Sequence, residues 1–530
     1  MAQTQTGSAA RRVAANAFNP FAAQLVTKVL MLGYGIVQYR LVGGGQQHLG
    51  DYFLAGLVLM YAGTIADWGL STFLTREVAK ERDAQGAETR AAHIFAQTLA
   101  LRLAISLALF VPVGIFIALY ASFFGLSPEG AWTTLILTLS LLPSAFSGSV
   151  TALLFAYERM SLPALIGIAT SFVNVALGVG ALLMGWGIMG LAIAAAFTNV
   201  LTAALFLRVL RRDFPGLRTV GAGRVRVGRE EAVALLKAGW PLMLNALLVG
   251  LFFRVDQFII KANAGNQRGA VDAAQAEHAS ALQVERYQAA YSFLNFVLLI
   301  TPAVTLALFP RMARHAKSDR PRLALEYAFA LKALLMISVP IIALTVWFAP
   351  LLITIVTGGK PNYLPESAVV LQILIFFLPF SFINGVTQYV LIALDRQSLI
   401  TRAFAATVAF NIAANLLLVP LLGINGAALT TVLSEVVLLG PFLVWTAREI
   451  GSVPLVELAG KPLAAGVITA GLGWAMHDLV QRWQQGWLEM ALYVGGGLLL
   501  FAVYAVALFL MRPFSQAERA VLRGALRRPG

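Results

Sequence analysis

Arg254 and Asp256 stand in GWPLMLNALLVGLFFRVDQFII (239–260), an apolar stretch with no other charge. The stretch is long enough to cross a bilayer. A charge at mid-depth there costs about 2.5–3.5 kcal/mol on insertion scales. Residues kept at that cost hold an anionic group, carry an ion or proton, or pair with another helix. Three further residues belong to the same class: Lys28 in PFAAQLVTKVLMLGYGIVQY (20–39), Asp67 in LMYAGTIADWGLST (59–72), and Glu435.

Helical geometry separates the first two. Positions two apart lie about 200° around a helix axis, so Arg254 and Asp256 do not face each other. Each is expected to find its own partner, from another helix or from a ligand. Arg254 stands about 10 Å of rise before Lys261, and Lys28 about 12 Å beyond Pro20. Either can snorkel to an interface. If both instead line a cleft, they supply cations at two depths, which suits a phosphate group. Asp67 can neutralise Lys28, form a structural pair, or carry a coupling Na+ ion or proton. Asp256 has the same choice between a structural pair and ion coupling, and Glu435 is a further candidate of that kind. Arg102 and Lys332 lie within about two turns of the inner ends of their stretches, where snorkelling is expected.

The elements that must position these residues are membrane helices. The chain has 530 residues, 59% hydrophobic and only 12% charged, whereas a soluble domain carries about 25% charged residues. Apolar stretches recur at 18–39, 52–74, 98–122, 132–156, 162–184, 186–207, 239–260, 287–309, 329–349, 367–393, 403–421, 424–446, 462–480 and 487–511. The fold class expected is an all-α polytopic membrane protein of about 14 transmembrane helices. The net charge of +14 is a topology signal and an anionic-lipid contact rather than a nucleic-acid signal. With a cytoplasmic N-terminus, inner loops and tails hold 29 of the 39 Lys and Arg and outer loops hold 6. That asymmetry puts both termini in the cytoplasm and suits a multi-pass protein of a cell inner (plasma) membrane. Arg11 and Arg12 precede a first span that reads as an uncleaved anchor.

An internal repeat organises the spans. LGDYFLA (49–55) corresponds to VERYQAA (284–290), Arg76 to Arg311, and GIMGLAI (187–193) to GINGAAL (423–429), at shifts of 235–236; Pro20 and Gln24 meet Pro241 and Asn245 at a shift of 221. Two six-helix lobes related by a parallel repeat follow, facing each other across a cleft. The expected division is 1–207 for the first lobe, 208–237 for a basic cytoplasmic linker, 238–447 for the second lobe, and 448–530 for two extra helices and a basic tail. The loop 261–286 reads as an insertion in the second lobe.

Several chemistries are absent. No cysteine is present, so thiol chemistry is excluded. The five histidines (His48, His93, His278, His315 and His477) have no metal-ligand spacing, and each reads as an interfacial polar residue. There is no GxxxxGK[ST] phosphate loop. No catalytic residue, metal site or cofactor is expected.

The ordered motifs LGDYFLAGLVLMYAGTIADWGLSTFLTREVAK (49–80), RVDQFII (254–260), ERYQAAYSF (285–293), LALFPRMAR (306–314) and NLLLVPLLGINGAALTTVLSE (415–435) carry a resemblance. Over residues 15–450 the chain resembles the polysaccharide transporter branch of the multidrug/oligosaccharidyl-lipid/polysaccharide exporter superfamily, the O-antigen-type flippases. The resemblance implies two six-helix lobes around a cationic cavity, and alternating access. It implies movement of an undecaprenyl-pyrophosphate-linked oligosaccharide from the inner to the outer leaflet, in a pathway with glycosyltransferases and a polysaccharide polymerase. Arg254 and Asp256 stand where the family often has an Arg/Asp pair. Lys28 and Asp67 match no clear family motif. The 14-helix count resembles the lipid II flippase branch without that branch's first-lobe arginine pattern. Two other functions compete: a cation-coupled multidrug or small-solute antiporter of the same superfamily, and a membrane glycosyltransferase or ligase. The second would need a larger outer catalytic loop.

Overall fold

A computed structural model describes residues 2–43, 49–81, 86–124, 126–214, 228–265, 273–482 and 486–512. The described chain is almost entirely helical, with no strand among those residues. Twelve of its helical segments are long and apolar enough to cross a membrane. They correspond to twelve of the fourteen expected spans. The remaining two, 18–39 and 287–309, fall in helices outside that set of twelve.

The helices gather into two compact units, residues 1–288 and 289–530. In the first, α1 (Ala2–Leu41), α2 (Leu49–Asp67), α3 (Leu70–Glu81), α4 (Ala87–Ala108), α5 (Phe110–Phe124), α6 (Pro128–Leu139), α7 (Leu141–Ala156), α8 (Ser161–Leu183) and α9 (Gly187–Asp213) are followed by α10 (Arg229–Arg254) and α11 (Asp256–Gly265). α12 (Ala273–Val297) runs across the division. In the second are α13 (Ile300–Ser318), α14 (Arg320–Thr357), α15 (Glu366–Leu374), α16 (Leu378–Ala393), α17 (Gln397–Leu422), α18 (Ile424–Ile450), α19 (Leu455–Arg482) and α20 (Gly486–Leu510).

The division does not fall at the expected linker, much of which (215–227) lies outside the described residues. α10 and α11 pack on the first unit instead. Trp68 Nε1 donates to Leu236 O at 3.0 Å, Tyr61 Oη to Gly250 O at 3.2 Å and Tyr120 Oη to Phe258 O at 2.9 Å. The turn between α2 and α3 makes the approach close. Gly69 has φ 73°, and a Cβ on Gly239 would meet Trp68 O at 2.2 Å. Only glycine fits that contact.

The repeat has a backbone signature. Gly187 and Gly423 both take positive φ, 56° and 61°; Gly187 opens α9 and Gly423 is the N-cap of α18. A Cβ on Gly426 would meet Leu418 O at 2.2 Å, so the helix pair α17–α18 closes on a bare backbone. Gly190 plays the same part between α8 and α9, where a Cβ would crowd Trp186 and Ala181. Local caps fix other boundaries. Ser127 Oγ accepts from Gly130 N at 2.8 Å ahead of Pro128, and Asp319 Oδ1 accepts from Arg322 N at 3.0 Å ahead of Pro321.

Candidate functional site

The expected span through 239–260 is present, with a lapse in the helical hydrogen-bond pattern at one residue, Val255, which keeps helical φ −66° and ψ −26°. α10 ends at Arg254, Val255 is a turn, and α11 begins at Asp256. Both side chains reach α12, at the adjacent residues Gln288 and Tyr287. Arg254, half-buried, donates from Nη1 to Gln288 Oε1 at 3.2 Å. Gln257 Nε2 donates to the same oxygen at 2.9 Å. Asp256 is buried and accepts from the Tyr287 hydroxyl and from Gln257 N. A guanidinium, a carboxylate and two amides are thus held together at the α10–α11 junction.

The other expected residues fall elsewhere. Lys28 is exposed on α1, with no hydrogen bond or ion pair among the described residues. Asp67 does not neutralise it. Asp67 Oδ1 lies 3.1 Å from Arg102 Nη2 and accepts from Ser71 Oγ at 2.5 Å. Arg102 Nη1 donates to Ser71 Oγ at 2.8 Å and to Ser149 Oγ at 3.1 Å. Arg102 is only 6% exposed, which corrects the expectation that it snorkels. Its guanidinium turns inward because Asp67, Ser71 and Ser149 receive it. Gly148 makes its room, since a Cβ there would lie 2.7 Å from Nη2. Lys332 is also buried rather than snorkelling. Its helix starts at Arg320.

Glu435 is buried on α18. Its carboxylate accepts from Asn384 Nδ2 at 2.7 Å, and its main-chain oxygen accepts from the same amide at 2.9 Å. In the same unit, the buried Glu326 receives Arg311 at 3.0 Å and His315 at 2.9 Å.

Sequence reasoning missed a second buried ionic centre. Lys261, counted as a loop residue, is fully buried with Asp51, to which it donates. Asp51 also accepts from Ser127 N at 3.2 Å and from the Ser127 hydroxyl. Beside it, Glu285 Oε1 takes Gly50 N at 3.1 Å, and its main-chain oxygen takes the Tyr39 hydroxyl. Burial, then the Asp51 carboxylate, holds the nearby Glu277 carboxyl above its ordinary range. The signal available in the sequence was Asp51 at the head of a span, with Lys261 just past the end of another. No group of three or more metal-ligating side chains occurs among the described residues. His48 lies outside those residues, and so does the side chain of His477.

Comparison with known proteins identifies the family. The family described as "Polysaccharide biosynthesis protein" matches residues 13–316, and the MatE family matches 267–433. The chain belongs to the polysaccharide biosynthesis protein family. Its fold is that of the multidrug/oligosaccharidyl-lipid/polysaccharide exporter (MOP) superfamily, as three solved structures illustrate. The lipid II flippase MurJ in an inward closed conformation is 14% identical with a TM-score of 0.69, covering 92% of this chain and 97% of that one. An inward-facing multidrug resistance MATE transporter is 18% identical with a TM-score of 0.61, covering 80% and 94%. A Pyrococcus furiosus MOP superfamily transporter, described as having a binding pocket of reversed polarity, is 17% identical with a TM-score of 0.56, covering 82% and 95%. No curated protein matches the chain.

Proposed function

We propose that the protein is a flippase for a lipid-linked oligosaccharide. It moves an undecaprenyl-pyrophosphate-linked glycan from the inner to the outer leaflet by alternating access, in an inner (plasma) membrane with both termini cytoplasmic. The observation that carries the reading is Arg254, a half-buried guanidinium held by Gln288 at the α10–α11 junction of a polysaccharide biosynthesis family chain. Pyrophosphate and sugars cannot cross about 30 Å of hydrocarbon unaided. A protein that shields them needs a fixed cation for phosphate and amides for sugar hydroxyls, and no covalent chemistry. Arg254 is the phosphate contact, with Gln257 and Gln288 beside it, and Lys28 adds an exposed cation on α1. Asp256 serves as the structural partner of Tyr287.

Energy comes from a cation gradient. Glu435, buried against a neutral amide, is the group in the second unit suited to carry Na+ or a proton. Asp67 is tied to Arg102 and has a structural role. The glycan arrives from glycosyltransferases and leaves towards a polysaccharide polymerase.

The MatE match over 267–433 supports a second reading, a cation-coupled drug or small-solute antiporter. Surface glycan in a complemented deletion strain separates the two. Arg254→Ala is expected to abolish export while the protein remains in the membrane. Normal glycan in that variant removes the assignment, and drug sensitivity without glycan loss in the deletion strain favours the antiporter.

A further inference from the structure

A cavity of about 930 Å³ lies between α3 and α7, away from the Arg254 site. Arg76 and Lys80 stand on one wall with Thr72, and Thr151 stands on the other. Gly148 is part of the lining, and the Arg102 guanidinium packs directly against it. Ser71, also in the lining, receives Arg102 Nη1. Arg102 Nε is buried without a hydrogen-bond partner. The cavity therefore has cations at its rim and another behind its floor.

The charges do not cancel. Glu77 takes both Arg76, at 3.2 Å, and Lys80, at 2.9 Å, while Asp67 takes Arg102. Three cations meet two carboxylates, leaving one positive charge beside hydroxyl donors. That set suits a phosphate ester, which takes charge-assisted hydrogen bonds from Arg and Lys. The volume lies within the range of small-ligand sites. The rest of the lining is apolar: Ala79, Ala152 and Phe155, the last 37% exposed. Both walls belong to segments long and apolar enough to cross a membrane. A cationic rim next to an exposed apolar wall fits a headgroup carrying hydrocarbon better than a free ion.

We propose that the α3–α7 cavity binds the phosphate headgroup of a membrane lipid, with Arg76 and Lys80 as its direct contacts and Arg102 as a positioning residue beneath. This site is separate from Arg254 and stands whether or not the transport reading holds.

Purified full-length protein in phosphatidylcholine nanodiscs tests it, with didecanoyl phosphatidate as the probe and native mass spectrometry as the readout. Wild type is expected to bind phosphatidate saturably. Arg76→Gln/Lys80→Gln, at exposed positions that leave the fold intact, is expected to weaken binding at least tenfold. Arg254→Ala is expected to bind phosphatidate as wild type does. Unchanged affinity in the double variant overturns the site. Inorganic phosphate competing at equal concentration overturns the lipid as its source. Loss of phosphatidate binding in Arg254→Ala overturns the separation of the two sites.

Discussion

The two units share a clamp and differ in their interior charges. In the first, the turn after α7 carries Glu158 at φ 58°, and Arg159 reaches Asp213 at the end of α9 at 2.8 Å. In the second, the turn after α16 carries Asp395 at φ 59°, and Arg396 reaches Glu449 near the end of α18 at 2.7 Å. The positions correspond at the same shift, within two residues, as the rest of the repeat. Inside the units the correspondence fails. The first unit holds an acid on α2 against a base on α4, Asp67 with Arg102. In the second, Arg311, the counterpart of Arg76, and His315 on α13 bind Glu326 on α14, at positions that do not correspond to Asp67 and Arg102. Glu435 with Asn384 has no acidic match in the first unit: the corresponding residue of α9, at the same shift of 236, is Asn199, which donates to Ala195 O. The repeat thus keeps the turns that close each helix pair, while the buried charges have diverged.

That contrast can be broken at graded cost. The largest stability effect belongs to Lys261→Met. It strands the fully buried Asp51 and is expected to cost about 3–5 kcal/mol, read as a lowered thermal midpoint in detergent. Arg102→Met is expected to cost less, about 2 kcal/mol, because Asp67 keeps 28% of its side-chain exposure. A combined Asp67→Asn/Arg102→Met protein should recover part of that loss, as coupled residues do. The clamps are smallest. Arg159→Ala and Arg396→Ala remove half-exposed pairs and should each cost about 0.2–1 kcal/mol. A clamp variant as damaging as Lys261→Met would show that the shared turns, and not the divergent interior, hold each unit together.

Much of this was legible in the sequence, and the exceptions have physical causes. Apolar stretches gave the helices, and the GIMG and GING segments gave the repeat, because a positive-φ glycine before a helix demands a particular residue. The clamp was also written there, as Glu158-Arg159-x-Ser161-Leu162 and Asp395-Arg396-x-Ser398-Leu399. It was overlooked because it lies in polar turns, outside the spans where costly charges were sought. Arg102 is buried because Asp67, Ser71 and Ser149 receive it, partners on other turns and helices that no local pattern links to it. The Asp51–Lys261 pair joins residues 210 apart, and no local pattern announces such a contact.

The central claim is that Arg254 grips a phosphate group during transport. The most direct measurement is translocation of a fluorescent polyprenyl-pyrophosphate oligosaccharide in proteoliposomes under an imposed cation gradient. Wild type should move the lipid, Arg254→Lys should move it more slowly, and Arg254→Ala should not move it. Wild-type translocation by correctly folded Arg254→Ala would contradict the account.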